Sequence, residues 1–211
     1  MAPGDPTAWL GQFRSLDSLF LERVVALWPT CLERLPPDAD EDTITINLVN
    51  LLWLDAGARR WFNRVEFHFE PFGYTQDGTA YSLGEIDLAV ILGQDRDVYL
   101  AYECKRLNVL RRDGRRSLAT EYVREGLARF VRSQYSENLP VGCMLGYVGD
   151  GDVEYAAGKV RERIVALRGE IALTEGPESD VAIGLATRFY SRHHRELDGS
   201  EIEIRHALLP M

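Results

Sequence analysis

The chain has 211 residues, of which 45% are hydrophobic and 27% charged, and its net charge at pH 7 is −9. These are ordinary values for a globular protein with one core, and no apolar run reaches the roughly 18 residues that span a bilayer. The first residues, MAPGDPTAWLGQF, lack the regions of a secretory signal, and Cys31, Cys104 and Cys143 are too far apart for a metal pair or a disulfide framework. We therefore expect a single reduced, cytoplasmic domain over residues 1–211.

Hydrophobic periodicity predicts alternating helices and strands. In chain order we predict a helix over 15–28 that ends before Pro29, a helix over 43–57 capped by Asp40 or Asp42, strands over 65–72, 86–92 and 98–104, a helix over 118–135, a strand over 141–148, a helix over 156–169, and closing strands over 181–192 and 201–209. Residues 73–84 and 107–116 read as polar loops. This order predicts an α/β fold with one mixed sheet and helices on both faces.

Two of the predicted strands carry ionisable residues among apolar ones. If residues 93–97 form a symmetric hairpin loop, Asp87 lies opposite Glu103 and Glu85 lies opposite Lys105. Because side chains alternate between the faces of a strand, one face is then nearly pure core. The four ionisable side chains share one end of the other face.

This placement of Asp87 and Glu103 is costly without a partner. Directly opposed residues have Cβ atoms about 4.5–5.5 Å apart, and two carboxylates so close either share a proton or hold a cation. A hard divalent ion such as Mg²⁺ accepts one or two carboxylates together with water and substrate phosphate. Lys105, about 7 Å along the strand from Glu103, can orient or deprotonate a water and stabilise charge that develops on a phosphate.

Asp87, followed sixteen residues later by Glu103-Cys104-Lys105, resembles the PD-(D/E)xK motif of restriction-endonuclease-like nucleases. The resemblance covers roughly residues 41–150, where the predicted α-β-β-β-α-β order is that of the family core. Residues 1–40 would be an N-terminal helical extension, and residues 151–211 an added helix and strand pair. One departure is Ile86, which stands before Asp87 where many active members have proline.

The resemblance implies a Mg²⁺ site, in which Mn²⁺ can substitute. Its ligands would be Asp87, Glu103, the backbone carbonyl of Cys104 and Glu41, and Lys105 would orient the attacking water. Glu41, at the start of a helix, is equally explained by the helix dipole. The implied activity is hydrolysis of phosphodiester bonds in nucleic acid, with DNA favoured over RNA. The implied setting is restriction, anti-phage defence or DNA repair, with a partner subunit of a larger system as one alternative.

The segment 105–132 is basic although the chain is acidic. It holds nine basic and three acidic side chains, which favours contact with an anion. The residues that we predict to contact nucleic-acid phosphates are Arg106, Arg111, Arg112, Arg115, Arg116 and Arg129. The alternative is a solvated surface, with Glu125 pairing Arg129 along the helix.

The helix over 118–135 has two stripes of interest. Ala119, Val123, Leu127, Phe130 and Val131 form its apolar stripe. Tyr122, Gly126 and Arg129 lie on a second stripe, which we expect to support the site together with Glu85. A glycine inside a helix costs about 1 kcal/mol relative to alanine, so Gly126 is expected to permit a close approach.

Other mechanisms find no support in the sequence. The four histidines (His68, His193, His194 and His206) lack the spacing of a zinc hydrolase, and there is neither a G-x-S-x-G elbow nor a phosphate-binding P-loop. Cys104 falls on the core face, which indicates a buried thiol rather than a nucleophile. Two alternatives stay open: a catalytically silent scaffold that binds nucleic acid or a partner, and an enzyme dormant until a partner or second messenger arrives. A homodimer would suit double-strand cutting, but no apolar seam demands one.

Overall fold

The computed structural model describes residues 9–75, 77–92, 98–112 and 114–211. Its helices and strands are α1 (Leu10–Arg34), α2 (Glu41–Leu54), α3 (Ala56–Trp61), β1 (Arg64–Phe69), β2 (Phe72–Tyr74), β3 (Ala80–Ser82), β4 (Ile86–Ile91), β5 (Tyr99–Leu107), β6 (Val109–Arg111), β7 (Gly114–Arg116), α4 (Ala119–Glu121), a π-helical segment (Tyr122–Leu127), α5 (Ala128–Val131), β8 (Val141–Val148), α6 (Val153–Ala166), β9 (Leu173–Ser179), β10 (Thr187–His194) and β11 (Glu201–Pro210). We call α4, the π-helical segment and α5 together the composite helix. The predicted hairpin loop 93–97 lies outside the described residues. Among the helices that are described, none has the length and apolar character needed to cross a membrane.

Seven strands form one mixed sheet in the order β1-β4-β5-β8-β11-β10-β9, which confirms the predicted mixed α/β class. β4 is antiparallel to β1 and β5, whereas β8 is parallel to both β5 and β11. α1 and α2 pack on one face, where Trp28 stacks on Tyr147 and Thr45 meets the Tyr147 hydroxyl. The composite helix and α6 cover the other face, where Phe130 packs on Gly142.

The hairpin of β4 and β5 has the predicted register. Leu88 opposes Tyr102 and Ile91 opposes Tyr99. The backbone ladder ends at Leu88, one residue before Asp87 would meet Glu103. There the Asp87 carboxylate accepts a hydrogen bond of 2.7 Å from the backbone N–H of Cys104.

Several predicted helix boundaries are wrong. α1 begins at Leu10 rather than at residue 15, α6 spans Val153–Ala166 rather than 156–169, and the composite helix ends at Val131 rather than at residue 135. α1 continues through Pro29, because Trp28 and Cys31 on either side of it are buried in the core and their packing outweighs the lost backbone hydrogen bond. α2 begins after Asp40, whose side chain caps it as predicted. It ends at Leu54 rather than near residue 57, because Asp55 accepts a hydrogen bond from the Ala58 N–H and caps α3.

The strands that the sequence did not predict are short or exposed. The polar stretches 73–84 and 107–116 contain the β2–β3 and β6–β7 hairpins, and β9 forms the far edge of the large sheet. Their side chains are mostly exposed, so they lack the alternation of apolar and polar residues that identifies a strand with one buried face. Strand 181–192 was predicted six residues too early, since β10 begins at Thr187.

A buried charge cluster joins α1 to the C-terminal strands. The Asp17 carboxylate accepts hydrogen bonds from Arg188 at 2.8 Å, from Arg205 at 2.7 Å and from the Tyr102 hydroxyl at 2.8 Å. Buried charges are tolerated only when they are paired and hydrogen-bonded, as these are. The cluster fixes α1 over β5, β10 and β11, so α1 and the C-terminal strands share one core.

Candidate active site

The side chain of Lys105 lies at the centre of a ring of oxygen atoms at the end of β5. Its Nζ is 2.8 Å from Glu41 Oε1, 2.9 Å from Glu103 Oε1 and 3.9 Å from Asp87 Oδ2. It also donates a hydrogen bond of 2.8 Å to the carbonyl oxygen of Cys104. The structure therefore brings together all five residues that the sequence suggested for metal binding and water activation.

Glu41 reaches this ring from the first turn of α2. Its Oε1 contacts Lys105, and its Oε2 accepts a hydrogen bond of 2.9 Å from the backbone N–H of Arg106. Both carboxylate oxygens are thus bound to β5. The helix dipole alone does not explain these contacts with β5, because any acidic side chain near the start of the helix would interact favourably with the dipole.

Burial and mutual repulsion set the protonation of the ring. Burial, together with the charge of Glu103, raises the pKa of Asp87 to about 7. Burial also raises the pKa of Glu103, although Lys105 and Arg129 oppose the shift. For Lys105, burial acts downward, but the carboxylates of Glu103, Asp87 and Glu41 raise its pKa above the ordinary value. Lys105 therefore stays protonated near neutral pH, which favours orienting a water or stabilising a phosphate over accepting a proton.

Arg129 holds Glu103 from the other side. Its Nη1 donates to Glu103 Oε1 at 2.9 Å and Oε2 at 3.2 Å, and to the Tyr135 hydroxyl at 2.7 Å. The Tyr135 hydroxyl in turn donates to the backbone carbonyl of Glu85. Arg129, predicted to contact phosphate or to pair along its helix, is instead used to orient a carboxylate of the site.

The loop that carries Tyr135 is anchored by Arg195. The buried Arg195 guanidinium donates to the carbonyl oxygens of Ser136 at 2.7 Å and Leu139 at 2.5 Å. Burial lowers the pKa of Arg195 to about 10. Local sequence gives no sign of this support, because Arg195 and Tyr135 are distant in the chain.

A cleft of about 420 Å³ opens over the ring, and its wall includes Asp42, His68 and Gln134. His68 falls opposite Asp87 in the register of β1 against β4, at a point where pairing is interrupted and His68 has a left-handed φ of 53°. Its ring lies 3.7 Å from Asp42 Oδ1 and 3.4 Å from Glu85 Oε1. Glu85, predicted to face Lys105, contacts His68 instead. No motif identifies His68, and only the pairing of β1 with β4 could have placed it at the site.

Gly126 lets the composite helix approach the sheet closely, as predicted. A Cβ atom at Gly126 would lie 2.5 Å from Cε of Met144 on β8, and it would be in ordinary contact with Cγ of Glu103 at 3.4 Å and Cγ of Lys105 at 3.5 Å. Tyr122, expected to support the site, does not reach the cleft, because its ring is buried and its hydroxyl meets His206 Nδ1 at 3.0 Å. This part of the helix is π-helical, and its wider turn rotates Tyr122 away from the position that 100° per residue predicts.

Three of the six arginines predicted to contact phosphate are paired with carboxylates. Arg115 pairs with Asp150 at 2.5 Å and Arg116 with Glu121 at 2.6 Å, while Arg129 is engaged at the ring. These guanidinium groups would have to exchange one anion for another to bind a phosphate. They are therefore weaker phosphate contacts than the basic sequence suggests.

The other three arginines keep their prediction. Arg111 and Arg112 are exposed at the β6–β7 hairpin. Arg106 follows Lys105 on β5, and its buried Nε forms no hydrogen bond within the described part of the chain. Arg106 is not among the residues that line the cleft, so its contact with phosphate stays a prediction.

The oxygens around Lys105 Nζ suit a hard divalent cation. Three carboxylates and one carbonyl oxygen are the donors that Mg²⁺ and Mn²⁺ prefer. When all three carboxylates are ionised, Lys105 and Arg129 supply two positive charges against three negative ones, and a cation would balance the difference. In the described ranges, no three His, Cys, Asp or Glu side chains are arranged as a metal site by themselves. A metal ion here would have to displace the ammonium that now binds the same oxygens.

Comparison of the chain with protein-family models, with curated protein sequences and with solved structures finds no match. The resemblance to PD-(D/E)xK nucleases therefore stays a prediction from the sequence motif.

Cys104 turns its side chain away from the cleft. The thiol is fully buried and Sγ accepts a hydrogen bond of 3.4 Å from the Tyr147 hydroxyl. Burial raises the pKa of the Cys104 thiol well above its usual value, so it is a poor nucleophile, as predicted.

Two buried histidines, His193 and His206, belong to a hydrogen-bonded chain outside the cleft. His193 Nδ1 lies 2.7 Å from the carbonyl of Ile171 and therefore carries the proton. Its Nε2 then accepts from Ser191 Oγ at 2.8 Å, and Ser191 is 3.1 Å from Nε2 of His206. The Tyr122 hydroxyl contacts Nδ1 of His206. In this chain of four side chains, every hydrogen-bond donor faces an acceptor only if both imidazole rings are neutral.

This chain predicts loss of stability in mild acid. Burial lowers the pKa of His193 to about 4 and that of His206 well below its usual range. Since the unfolded chain takes up these protons near pH 6.5, each histidine should lower the free energy of unfolding below that pH by up to about 1.4 kcal/mol per pH unit. Protonation of Asp87, whose pKa folding raises to about 7, acts in the opposite direction over the same range, so the histidine contribution is read from the difference between wild type and a histidine variant. Urea unfolding at pH 7.5 and 5.5 measures the slope, which should be smaller in His206→Gln. An unchanged slope in that variant would contradict the assignment.

Proposed function

We propose that this protein is a Mg²⁺- or Mn²⁺-dependent nuclease that hydrolyses phosphodiester bonds of nucleic acid, with DNA as the favoured substrate. The observation that carries the proposal is the ring itself. The carboxylates of Glu41, Asp87 and Glu103 and the carbonyl of Cys104 converge on one protonated lysine beside an open cleft.

The order of the elements supports the proposal. If α3 and the two small hairpins outside the large sheet are set aside, the elements from α2 to β8 have the α-β-β-β-α-β order expected of a restriction-endonuclease-like core. These elements are α2, β1, β4, β5, the composite helix and β8. β4 is antiparallel to β5 and β8 is parallel to it. On this proposal α1 and the elements after β8 are additions to the core.

Each residue of the ring then has a chemical task. Asp87, Glu103 and Glu41 would hold the metal ion, which would supply Lewis-acid polarisation of the phosphate and a lower pKa for a bound water. Lys105, released from those oxygens, would keep its charge and orient the attacking water or stabilise the charge that grows on the phosphate. Arg129 fixes the orientation of Glu103.

A second candidate is a catalytically silent nuclease fold that serves as a scaffold. It is favoured by the fact that Glu103 is already satisfied by both Lys105 and Arg129. In that case the ring is a buried ion-pair network that stabilises the end of β5, and a divalent ion has no place in it.

Metal titration with a cleavage assay separates the two candidates. Mn²⁺ or Mg²⁺ is titrated by calorimetry into chelator-treated wild type, Asp87→Ala and Asp198→Ala, and the same samples are incubated with supercoiled plasmid. Asp198 is an exposed carboxylate in the turn before β11, so its variant controls for general loss of charge. We expect saturable binding and nicking in wild type and Asp198→Ala, and neither in Asp87→Ala.

The other outcomes are equally informative. Binding without nicking would indicate a dormant enzyme or a different nucleic-acid substrate. No binding at millimolar metal, with or without a non-cleavable oligonucleotide to supply phosphate, would favour the scaffold.

A further inference from the structure

A second, more apolar groove of about 920 Å³ lies between α2 and the edge strand β1. Its lining includes Ile46, Asn50 and Trp53 on α2 and Arg64 and Phe67 on β1. Trp53 is 53% exposed and Ile46 is 48% exposed, which is unusual for side chains of this size. None of these residues takes part in the ring around Lys105.

The groove lies next to the cleft. Ile46 follows Asp42 by about one helical turn, and Phe67 precedes His68 and stacks on it with ring centroids 3.7 Å apart. The contact between His68 and Asp42, at 3.7 Å, is the boundary between the two cavities.

At its far end the groove meets basic residues. Trp53 and Arg64 also line a smaller cavity of about 140 Å³ together with Arg59. At a rise of 1.5 Å per residue, Trp53 lies about 16 Å along α2 from Asp42. Aromatic and basic side chains thus mark one end of a path whose other end is the proposed metal site.

The side chains along this path have the chemistry of a single-strand binder. Such proteins combine aromatic rings on which bases stack with a positively charged groove that follows the backbone. Trp53 offers the ring, and its indole N–H donates to the carbonyl of Val65, which fixes its orientation. Arg59 is exposed and lines the smaller cavity with Trp53, on a chain whose net charge is −9. The next residue, Arg60, is also exposed and lies over the ring of Trp61. Arg64 pairs with Glu66, which also lines the groove, so these two charges cancel. The excess positive charge next to Trp53 therefore comes from Arg59 and Arg60.

A β-strand from a second copy is a less suitable occupant of this groove. Adding a strand to β1 requires free backbone groups on its outer edge, and the carbonyl of Val65 is taken by Trp53. Arg64 also places a charge on the edge strand, which disfavours pairing between strands. The groove is therefore suited to a ligand that uses side chains and stacking.

We propose that the groove between α2 and β1 binds a single strand of nucleic acid and leads it into the cleft. This inference rests on the proposed nuclease function, and it assigns the substrate class of that site as single-stranded DNA or RNA. Trp53 would stack on a base, and Arg59 and Arg60 would contact phosphates beyond it.

Binding without metal tests the groove separately from cleavage. Fluorescence anisotropy in chelator-containing buffer compares a labelled single-stranded DNA, the same sequence as RNA, and a DNA duplex of equal length. The variants are Trp53→Ala, the double variant Arg59→Ala/Arg60→Ala, and Trp9→Ala as the matched control. Trp9 is also a partly exposed tryptophan, but it precedes α1 and is not part of the groove.

Wild type should bind at least one of the single strands more tightly than the duplex. Trp53→Ala should weaken that binding by about 5- to 150-fold, the effect of losing one stacked base, and Trp9→Ala should not. Loss of two phosphate contacts in the arginine variant should reduce the salt dependence of log K by about 1.4.

Three results would overturn the inference. The first is equal binding by Trp53→Ala and Trp9→Ala together with an unchanged salt slope in the arginine variant, and the second is a duplex bound as tightly as the single strands. The third is a wild-type dimer in sedimentation that Trp53→Ala dissociates without affecting oligonucleotide binding. The last would assign the groove to a second copy. The two proposals can fail separately. Trp53-dependent strand binding without metal-dependent cleavage would contradict only the nuclease, and cleavage with Trp53-independent binding would contradict only the groove.

Discussion

Replacement of Asp87 by asparagine is expected to abolish metal-dependent cleavage and yet to stabilise the metal-free protein above pH 7. Folding raises the pKa of Asp87 from its ordinary value near 4 to about 7, because the carboxylate is buried beside Glu103. An acid whose pKa is raised by folding costs stability as pH rises between the unfolded and the folded pKa, and the full cost is present above pH 7. Asparagine has no such cost, and its amide oxygen can still accept from the Cys104 N–H.

The gain in the free energy of unfolding should be of the order of 1–4 kcal/mol at pH 8, since one pKa unit corresponds to about 1.4 kcal/mol, and it should vanish near pH 4. Urea unfolding of wild type and Asp87→Asn in chelator, from pH 4 to pH 8, measures it. Glu196→Gln, which neutralises an exposed carboxylate, is the control and should change little. A variant that is less stable than wild type at pH 8 would show that Asp87 is mainly an ion-pair partner, as the scaffold candidate requires.

Replacement of Lys105 by methionine should also remove cleavage, but it should make the protein dependent on metal for stability. Glu103 is fully buried and Glu41 is partly so, and methionine keeps the length of the side chain while removing the charge that both contact. Breaking a buried ion pair from one side typically costs 3–5 kcal/mol, so we expect about that loss in metal-free buffer.

Mn²⁺ or Mg²⁺ should then restore much of the stability of Lys105→Met, because the oxygens released by the ammonium are the proposed ligands. Ligand at a hundred times its dissociation constant adds about 2.7 kcal/mol. Thermal unfolding with increasing metal measures this, and the rise in Tm should exceed that of wild type. The control is Lys159→Met, which removes an exposed lysine paired with Glu162. If metal leaves the Tm of Lys105→Met unchanged, the ring is not a metal site.

The hairpin at the centre of the site could be predicted from the sequence. Alternation of apolar and polar residues fixes which face of each strand is buried, and a slip of one residue would expose the core face. The observed pairs Leu88–Tyr102 and Ile91–Tyr99 are those that this pattern requires. Asp87, Glu103 and Lys105 are therefore neighbours because of local pattern.

The composite helix shows where local pattern stops being sufficient. Its apolar stripe is buried as predicted, including Val123, Leu127 and Phe130. Its polar side depends on the π-helical segment, which turns Tyr122 into the core and leaves Arg129 directed at Glu103. The wider turn has no signature in the spacing of the apolar residues.

By itself the sequence determined the strand hairpin, the motif on it and the mixed α/β class, because these follow from periodicity between residues close in the chain. Only the tertiary structure decided that Glu41 and Arg129 complete the ring and that His68 borders the cleft. The same holds for β11, which lies between β8 and β10 in the middle of the sheet. These contacts join segments far apart in the chain, and they depend on how the helices pack on the sheet and on the pairing of buried charges. Helix packing and charge pairing between distant segments produce no periodic pattern in the local sequence.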